Sequence, residues 1–140
     1  MAPNEKGMIM MACAEKFGAG AVRNILRHNR REIEHSSNHD IDPKRLERDY
    51  ILSPDRGMTE YDYFLQRKSE LYCYNRNDVK VMVGWIVTAP QDLDPERYDN
   101  FFYATYNFLA NRYGEENVVQ AIVHDDEGGQ PHLHFCFVPV

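Results

Sequence analysis

The residues best suited to chemistry in this sequence are its six histidines, which fall into two groups. In the group near the carboxyl end, His132 and His134 are two residues apart, and His124 precedes them across a seven-residue loop. Because residues i and i+2 of a β-strand point to the same face, His132 and His134 are predicted to project side by side. An antiparallel return of the chain would bring His124 to the same point. Three imidazole nitrogens with open positions suit a divalent metal such as zinc, manganese, iron or nickel.

Acidic residues fill the loop between these histidines, at Asp125, Asp126 and Glu127. Carboxylates beside a metal-binding histidine can orient its imidazole through the second ring nitrogen, but the same residues also form solvated turns. Glu127 precedes two glycines, which can turn it back toward the histidines. We therefore expect a functional role for Glu127, with the solvated turn as the alternative.

The second group, His28, His35 and His39, lies in a basic segment. His28 and Arg31 are three residues apart, which predicts that they share one face of a helix. A nucleophile or base beside a guanidinium suits a phosphodiester, because the guanidinium binds phosphate oxygens while the histidine reacts. The alternative is an exposed basic helix whose histidines are incidental.

Charge is distributed unevenly along the chain. Residues 1–80 carry 14 Lys/Arg and 13 Asp/Glu, whereas residues 81–140 carry 2 and 9. Seven basic residues lie between Arg23 and Arg48, so any contact with phosphate is expected there. The acidic half would repel phosphate unless a cation sits in it. The net charge of −6 argues against a general nucleic-acid coat protein.

The predicted order of the elements that position these residues is β-α-β-α-β-α-β-β. Strands are predicted from short apolar or β-branched runs at Met8–Cys13, around Tyr50–Leu52, and at Lys80–Thr88, Asn117–His124 and His132–Val140. Helices are predicted from apolar periodicity and capping residues over Ala21 to about Glu34, Thr59 to about Cys73, and Asp94 to Gly114. The last two strands are predicted to form a hairpin.

Length and composition limit the class of protein. A chain of 140 residues with 43% hydrophobic residues is expected to form one globular domain, not a repeat array or a multidomain enzyme. No apolar run approaches the roughly 20 residues of a membrane span. The three cysteines form no CxxC pair, which favours a reducing cytoplasm.

Three motifs together resemble the relaxase domain of the MobV class, also called Mob/Pre plasmid mobilisation or recombination enzymes. His28–Arg31 (HNRR) matches the family pattern HNxR, and Ser37–Pro43 (SNHDIDP) matches SNxDI(N/D)P. His124–Glu127 (HDDE) with Pro131–His134 (PHLH) matches HxDE followed by PHxH. The motifs occur in the family's order, and the resemblance covers nearly the whole chain from Met8.

The resemblance implies an α+β fold, with a central antiparallel sheet of about five strands flanked by helices. It implies an HUH endonuclease of the bacterial cytoplasm that nicks one strand of single-stranded or supercoiled plasmid origin DNA. Such an enzyme stays covalently joined to the 5′ end and later reseals the strand. Residues 1–140 would be a single nicking domain, truncated from a longer protein that could form a homodimer through a C-terminal region. No membrane contact is expected in this domain.

The resemblance also assigns roles to residues in the reaction. A divalent cation, Mn²⁺ or Mg²⁺, would be held by His124, His132 and His134. His28 matches the nucleophile of this class, which replaces the tyrosine of most relaxases. Arg31 would hold a phosphate oxygen, and Glu127 would orient His28 or take its proton.

Further residues of the matched motifs and the basic segment are expected to contact DNA. Asn38 and Asp40 belong to the second motif and would place the DNA or the active-site helix. Contacts to the DNA are also expected from Arg27, Arg30, Lys44 and Arg45.

The nature of the nucleophile stays open at the level of sequence, because the chain contains nine tyrosines. Tyr50 and Tyr61 lie nearest the basic segment, and either could instead serve core packing or base stacking.

Three other functions compete with mobilisation. A related HUH nuclease could act in rolling-circle replication or transposition, although the HNxR motif favours mobilisation. A non-nuclease metal protein of the cupin type needs further ligands downstream of its HxH pair, and only six residues follow His134. A plain DNA-binding module with structural histidines would show no metal-dependent nicking.

Overall fold

The computed structural model describes residues 12–31, 49–71, 79–125 and 129–139. The strands are β1 (Ala12–Gly18), β2 (Tyr50–Ile51), β3 (Lys80–Thr88), β4 (Val118–His124) and β5 (His132–Phe137). The helices are α1 (Ala19–Asn29), α2 (Glu60–Ser69) and α3 (Tyr98–Tyr113), with short 3₁₀ turns at Pro95–Arg97 and Glu115–Asn117. In the described residues no helix has both the length and the apolar character needed to cross a bilayer.

The five strands form one sheet in the order β1-β3-β5-β4-β2, and every neighbouring pair is antiparallel. This arrangement confirms the predicted fold class and element order. β5 occupies the centre of the sheet, and its hairpin with β4 places His132 opposite His124. The histidine strand is therefore held on both sides by backbone hydrogen bonds.

The alternation of side chains along β5 divides the interior into two layers. Leu133 and Phe135 point to one face, where they pack with Phe102 of α3. Cys136 points to the other face, where it packs with Leu26 of α1. Because His132 and His134 share the alternation of Cys136, they face α1 and α2.

Several predicted boundaries are confirmed by the local signals that suggested them. β3 has the predicted limits. The hydroxyl of Thr59 caps α2 by accepting a hydrogen bond from the backbone N–H of Asp62 at 3.1 Å. Asp94 caps the turn that leads into α3, and Gly114 ends that helix with a φ of 94°.

Other boundaries differ from the prediction. β1 continues through Gly18, five residues beyond the predicted end at Cys13, because Phe17 pairs with Met82 of β3. Met8 to Met11 lie outside the described residues. β5 ends at Phe137 instead of Val140, and α2 ends at Ser69 instead of near Cys73.

The predicted limits of α1 are also wrong at both ends. The helix begins at Ala19 and ends at Asn29, whereas the prediction ran from Ala21 to Glu34. It ends early because Arg31 adopts a φ of 58°, a left-handed conformation that cannot continue a right-handed helix. Residues 32–34 lie outside the described part of the chain.

Candidate active site

The three histidines of the β4–β5 hairpin converge, as the sequence predicts. Each of His124, His132 and His134 offers one ring nitrogen, and these atoms all lie within 4.8 Å of one another. The ring centroids of His124 and His134 are 4.4 Å apart. Two imidazole nitrogens on opposite sides of a bound ion are about 4 Å apart, because each metal–nitrogen bond is about 2 Å. Separations of up to 4.8 Å exceed this by less than about 1 Å, so a small rotation of the rings brings the three donors onto one divalent cation.

His124 is held in a defined orientation by the end of α1. The side chain is 1% exposed, and its Nε2 lies 2.6 Å from the backbone oxygen of Asn29. A carbonyl oxygen only accepts hydrogen bonds, so Nε2 must carry the proton and donate it. Nδ1 then keeps the lone pair that a metal requires, as is usual for histidine ligands with a backbone partner.

His134 is prepared for metal binding by its surroundings. Burial lowers its pKa well below the usual range, and the positive charges of His124, His132, Arg31 and His28 lower the pKa further. An imidazole that stays uncharged at neutral pH is available as a ligand. The two sequence motifs meet in space where Nε2 of His124 contacts the backbone oxygen of Asn29, the neighbour of His28, at 2.6 Å.

The end of α1 presents His28 and Arg31 on a tight turn. His28 lies in the last turn of the helix and is half-buried. The backbone N–H of Arg31 donates to the carbonyl of His28 at 3.0 Å, and Arg31 takes the left-handed position that usually favours glycine. The prediction that these two residues share one helix face is therefore wrong, because the helix has already ended.

A basic cleft runs along the exposed side of α1. Its volume is about 450 Å³, and three arginines, Arg23, Arg27 and Arg30, line one side of it. The start of α2 lines the other side, where Tyr61 stands between the acidic Glu60 and Asp62. The guanidinium of Arg23 lies 5.7 Å from the centre of the Tyr61 ring. Arginines beside an aromatic ring suit the phosphates and bases of a single strand of nucleic acid.

Within the described parts of the chain, Arg30 is the arginine of the cleft that has an acidic partner. Its Nε lies 2.9 Å from Oε1 of Glu60, and the Glu60 side chain is only 15% exposed. The structure therefore ties Arg30 to α2, and we assign it a weaker share of any phosphate contact than Arg27.

The two tyrosines considered as nucleophiles lie in different parts of the structure, Tyr50 beneath α3 and Tyr61 at the start of α2. Tyr50 pairs with Val123 and packs into the layer beneath α3, on the face of the sheet opposite the histidines. Burial and a 2.8 Å hydrogen bond to Asp99 raise its pKa above the usual range. Tyr61 stacks on Phe64 of the same helix, with ring centroids 6.1 Å apart. The placement of Tyr50 disfavours attack beside the cluster, whereas Tyr61 borders the basic cleft.

Several residues singled out in the sequence fall outside the described parts of the chain. They are His35, Asn38, His39, Asp40, Lys44, Arg45 and Glu127.

Two polar residues of the site were missed by the sequence reasoning. Asn29 is 1% exposed and lies on the buried stripe of α1 with Val22 and Leu26. Gln120 is fully buried within the apolar run of β4. For Asn29 the available signal was its place as the Asn of the HNxR motif, and for Gln120 it was a polar residue within an apolar run.

Comparison with known proteins identifies the family. The family model described as plasmid recombination enzyme (Mob_Pre) matches residues 7–140. The plasmid recombination enzyme of Streptococcus agalactiae is 34% identical over 139 residues, which cover 93% of this chain and 28% of that protein. Plasmid recombination enzyme type 1 of Staphylococcus aureus is 34% identical over 138 residues, covering 94% and 34%. The chain thus spans about a third of the length of these relatives.

Solved structures agree with the family match. The relaxase domain of MobM (MOBV; Mob_Pre), in a Mn-bound crystal structure with oriT DNA of plasmid pMV158, is 34% identical with a TM-score of 0.76. That alignment covers 90% of this chain and 68% of the MobM chain. The same domain bound to a 26-nucleotide oriT DNA gives a TM-score of 0.66 at 28% identity, over 92% of this chain and 68% of the MobM chain. The chain therefore belongs to the plasmid recombination enzyme (Mob_Pre) family.

Proposed function

We propose that this chain is the nicking domain of a DNA relaxase, which cuts one strand at a plasmid origin of transfer during mobilisation or recombination. The observation that carries the proposal is the contact between the three-histidine cluster and the end of α1, where Nε2 of His124 lies 2.6 Å from the backbone oxygen of Asn29, beside His28. The similarity to the DNA-bound MobM relaxase domain supports it. The family match favours mobilisation over the replication and transposition alternatives.

The cluster is proposed to hold a divalent cation through His124, His132 and His134. Mn²⁺ is the first choice because the similar MobM structures are Mn-bound, and Mg²⁺ is the alternative. Such an ion, when bound, polarises the scissile phosphate and offsets negative charge in the transition state.

His28 is proposed as the nucleophile. A neutral imidazole nitrogen would attack phosphorus and form a P–N bond, while the P–O3′ bond breaks and its electron pair leaves on the 3′ oxygen. The second ring nitrogen would lose its proton to Glu127, and the 3′ oxygen would take a proton from water. The product is a 5′-phosphoramidate on His28, which the 3′ hydroxyl can attack to rejoin the strand.

Arg31 and the basic cleft are proposed to place the DNA. Arg31 would bind a non-bridging phosphate oxygen through its guanidinium. The single strand would continue along the cleft, with its phosphates near Arg23 and Arg27 and a base near Tyr61. Asn38, Asp40, Lys44 and Arg45 would extend this surface.

The cellular setting is also part of the proposal. A cytoplasmic location is proposed because the three cysteines of the sequence are widely spaced and form no CxxC pair. A homodimer remains a prediction from the family resemblance alone.

A nicking assay tests the proposed function. The purified chain would be incubated with two supercoiled plasmids, one carrying the pMV158 origin of transfer and one carrying the DNA that flanks its own gene. We expect open circles in Mn²⁺ and none in EDTA, with the 5′ end of the nick blocked by protein. Intact supercoiled DNA on both plasmids, despite bound Mn²⁺, would contradict the proposal.

Replacing Arg31 should separate stability from activity. Because Arg31 has a φ of 58°, alanine at this position keeps the left-handed penalty, whereas glycine removes it. We expect Arg31→Gly to be more stable than Arg31→Ala by about 1 kcal/mol in urea unfolding. Both variants lack the guanidinium and should nick roughly 100-fold more slowly than the parent.

The comparison within this pair is the control, because the two variants differ only in a methyl group. Recovery of nicking in Arg31→Gly alone would mean that the backbone conformation, and not the guanidinium, matters for the reaction.

A further inference from the structure

A buried chain of polar side chains lies beneath the candidate active site. Asn29 of α1 and Gln120 of β4 are 1% and 0% exposed, and Nδ2 of Asn29 donates to Oε1 of Gln120 at 2.9 Å. Nε2 of Gln120 donates to the backbone oxygen of Leu26 at 3.1 Å and to Oε1 of Glu60 at 2.8 Å. The same Glu60 oxygen accepts from Nε of Arg30 at 2.9 Å. The network therefore reaches from the surface to the base of the site.

The partners fix the orientation of the Gln120 amide. Its oxygen faces an N–H donor of Asn29, and its nitrogen faces the acceptors of Leu26 and Glu60. Rotating the Gln120 amide by half a turn would place its NH₂ group against the NH₂ group of Asn29 and its oxygen against the Glu60 carboxylate, and neither contact is a hydrogen bond. The amide is therefore bonded in one way only.

Asn29 links this network to the metal ligands. Its side chain is held by Gln120, and its backbone oxygen accepts from Nε2 of His124 at 2.6 Å. Gln120 and His124 are four residues apart on β4, so both face α1. The end of α1, which carries His28, is thus attached to β4 at two points. An apolar residue at position 120 would pack without holding Asn29.

We propose that Gln120 is a positioning residue, which fixes the Asn29 carbonyl on Nε2 of His124 and thereby sets the nitrogen that His124 presents to the metal. Glu60 completes the arrangement by accepting from both Gln120 and Arg30. The inference rests on the proposed function, because it treats the histidine cluster as a metal site.

Metal affinity without DNA provides the test. Free Mn²⁺ would be measured by electron paramagnetic resonance in titrations of the parent and of Gln120→Met, which keeps the side-chain length but loses the amide. We expect Mn²⁺ binding to weaken by roughly tenfold, the lower end of the effect of outer-shell residues on metal sites. Unchanged Mn²⁺ affinity in Gln120→Met would mean that the network is only structural.

Asn117→Ala is the matched control. Asn117 is also a buried amide, in the 3₁₀ turn just before β4, where it donates to the Tyr113 carbonyl at 2.7 Å and accepts from Arg67 at 2.8 Å. This variant should lower the melting temperature but keep Mn²⁺ affinity within about twofold. An equal loss of affinity in both variants would overturn the proposal, because any loss of stability would then have the same effect.

A second measurement covers the case in which Gln120→Met does not fold. Nitrogen-15 NMR of the metal-free parent should show His124 as the Nε2–H tautomer, and an Nδ1–H tautomer would overturn the proposal. A parent that binds Mn²⁺ but does not nick DNA would contradict the proposed function and leave this test intact. A parent that binds no Mn²⁺ would contradict both.

Discussion

Replacing His28 with alanine is expected to lower the nicking rate by at least about a thousandfold and to abolish the covalent protein–DNA product. The reason is that nucleophilic catalysis needs the attacking atom, which alanine does not provide. His28 lies one residue from Asn29, whose carbonyl holds His124, so the proposed nucleophile is adjacent in the chain to a residue that contacts the metal cluster.

The adduct itself distinguishes histidine from tyrosine. A P–N bond to imidazole is cleaved in mild acid, whereas a tyrosyl phosphate survives it. We therefore expect the protein–DNA product to disappear in acid, and mass analysis of the protease digest to place the nucleotide on His28.

Two tyrosine variants are the controls for this experiment. Tyr50→Phe removes a hydroxyl that bonds Asp99 on the opposite face of the sheet, and Tyr61→Phe keeps the ring beside Arg23. Both should nick within about threefold of the parent, since surface and remote changes usually have small effects. Nicking that survives in His28→Ala and fails in one of these variants would assign the nucleophile to tyrosine.

The predictions that succeeded from sequence depend on local signals. β3 has its predicted limits because a run of β-branched and aromatic residues is bounded by turn residues. The placement of His132 and His134 on one face of β5 follows from the two-residue period of a strand, which is independent of the rest of the fold. The ends of β1 and α1 could not be predicted in this way. They depend on the pairing of Phe17 with β3 and on the backbone of Arg31.

The buried network illustrates what sequence reasoning could not provide. Asn29 and Gln120 are 91 residues apart, and their hydrogen bond exists only because α1 docks on β4 in one register. The face to which Tyr50 points is likewise set by its pairing with Val123. Both features are long-range consequences of sheet order, and sheet order has no signature in a short segment of sequence.

Replacing His134 with alanine is expected to weaken Mn²⁺ binding by more than about 100-fold, since residues that only orient a ligand already change affinity by roughly 10- to 100-fold. Nicking should fall to background at micromolar Mn²⁺. His134 lies on the central strand, and its ring forms a triangle with those of His124 and His132, with centroids 4.4 to 5.6 Å apart. Removing it leaves two of the three nitrogens. Two imidazoles hold a divalent cation much less tightly than three.

Thermal unfolding with and without Mn²⁺ measures this loss independently of DNA. A bound ion stabilises the folded state by about 2.7 kcal/mol at a concentration 100 times its Kd. The parent should therefore melt at a higher temperature in Mn²⁺ than in EDTA, and His134→Ala should show no such increase.

His28→Ala is the matched control, because it replaces a nearby histidine that is not in the cluster, and it should keep the increase. If His28→Ala lost the Mn²⁺-dependent increase in melting temperature, His28 itself would be a ligand of the ion. A histidine nitrogen that binds the metal through its lone pair cannot attack phosphorus at the same time. The two variants together therefore decide whether metal binding and nucleophilic attack belong to different histidines. The fold implies that they do, because the cluster lies on β4 and β5 whereas His28 lies on α1.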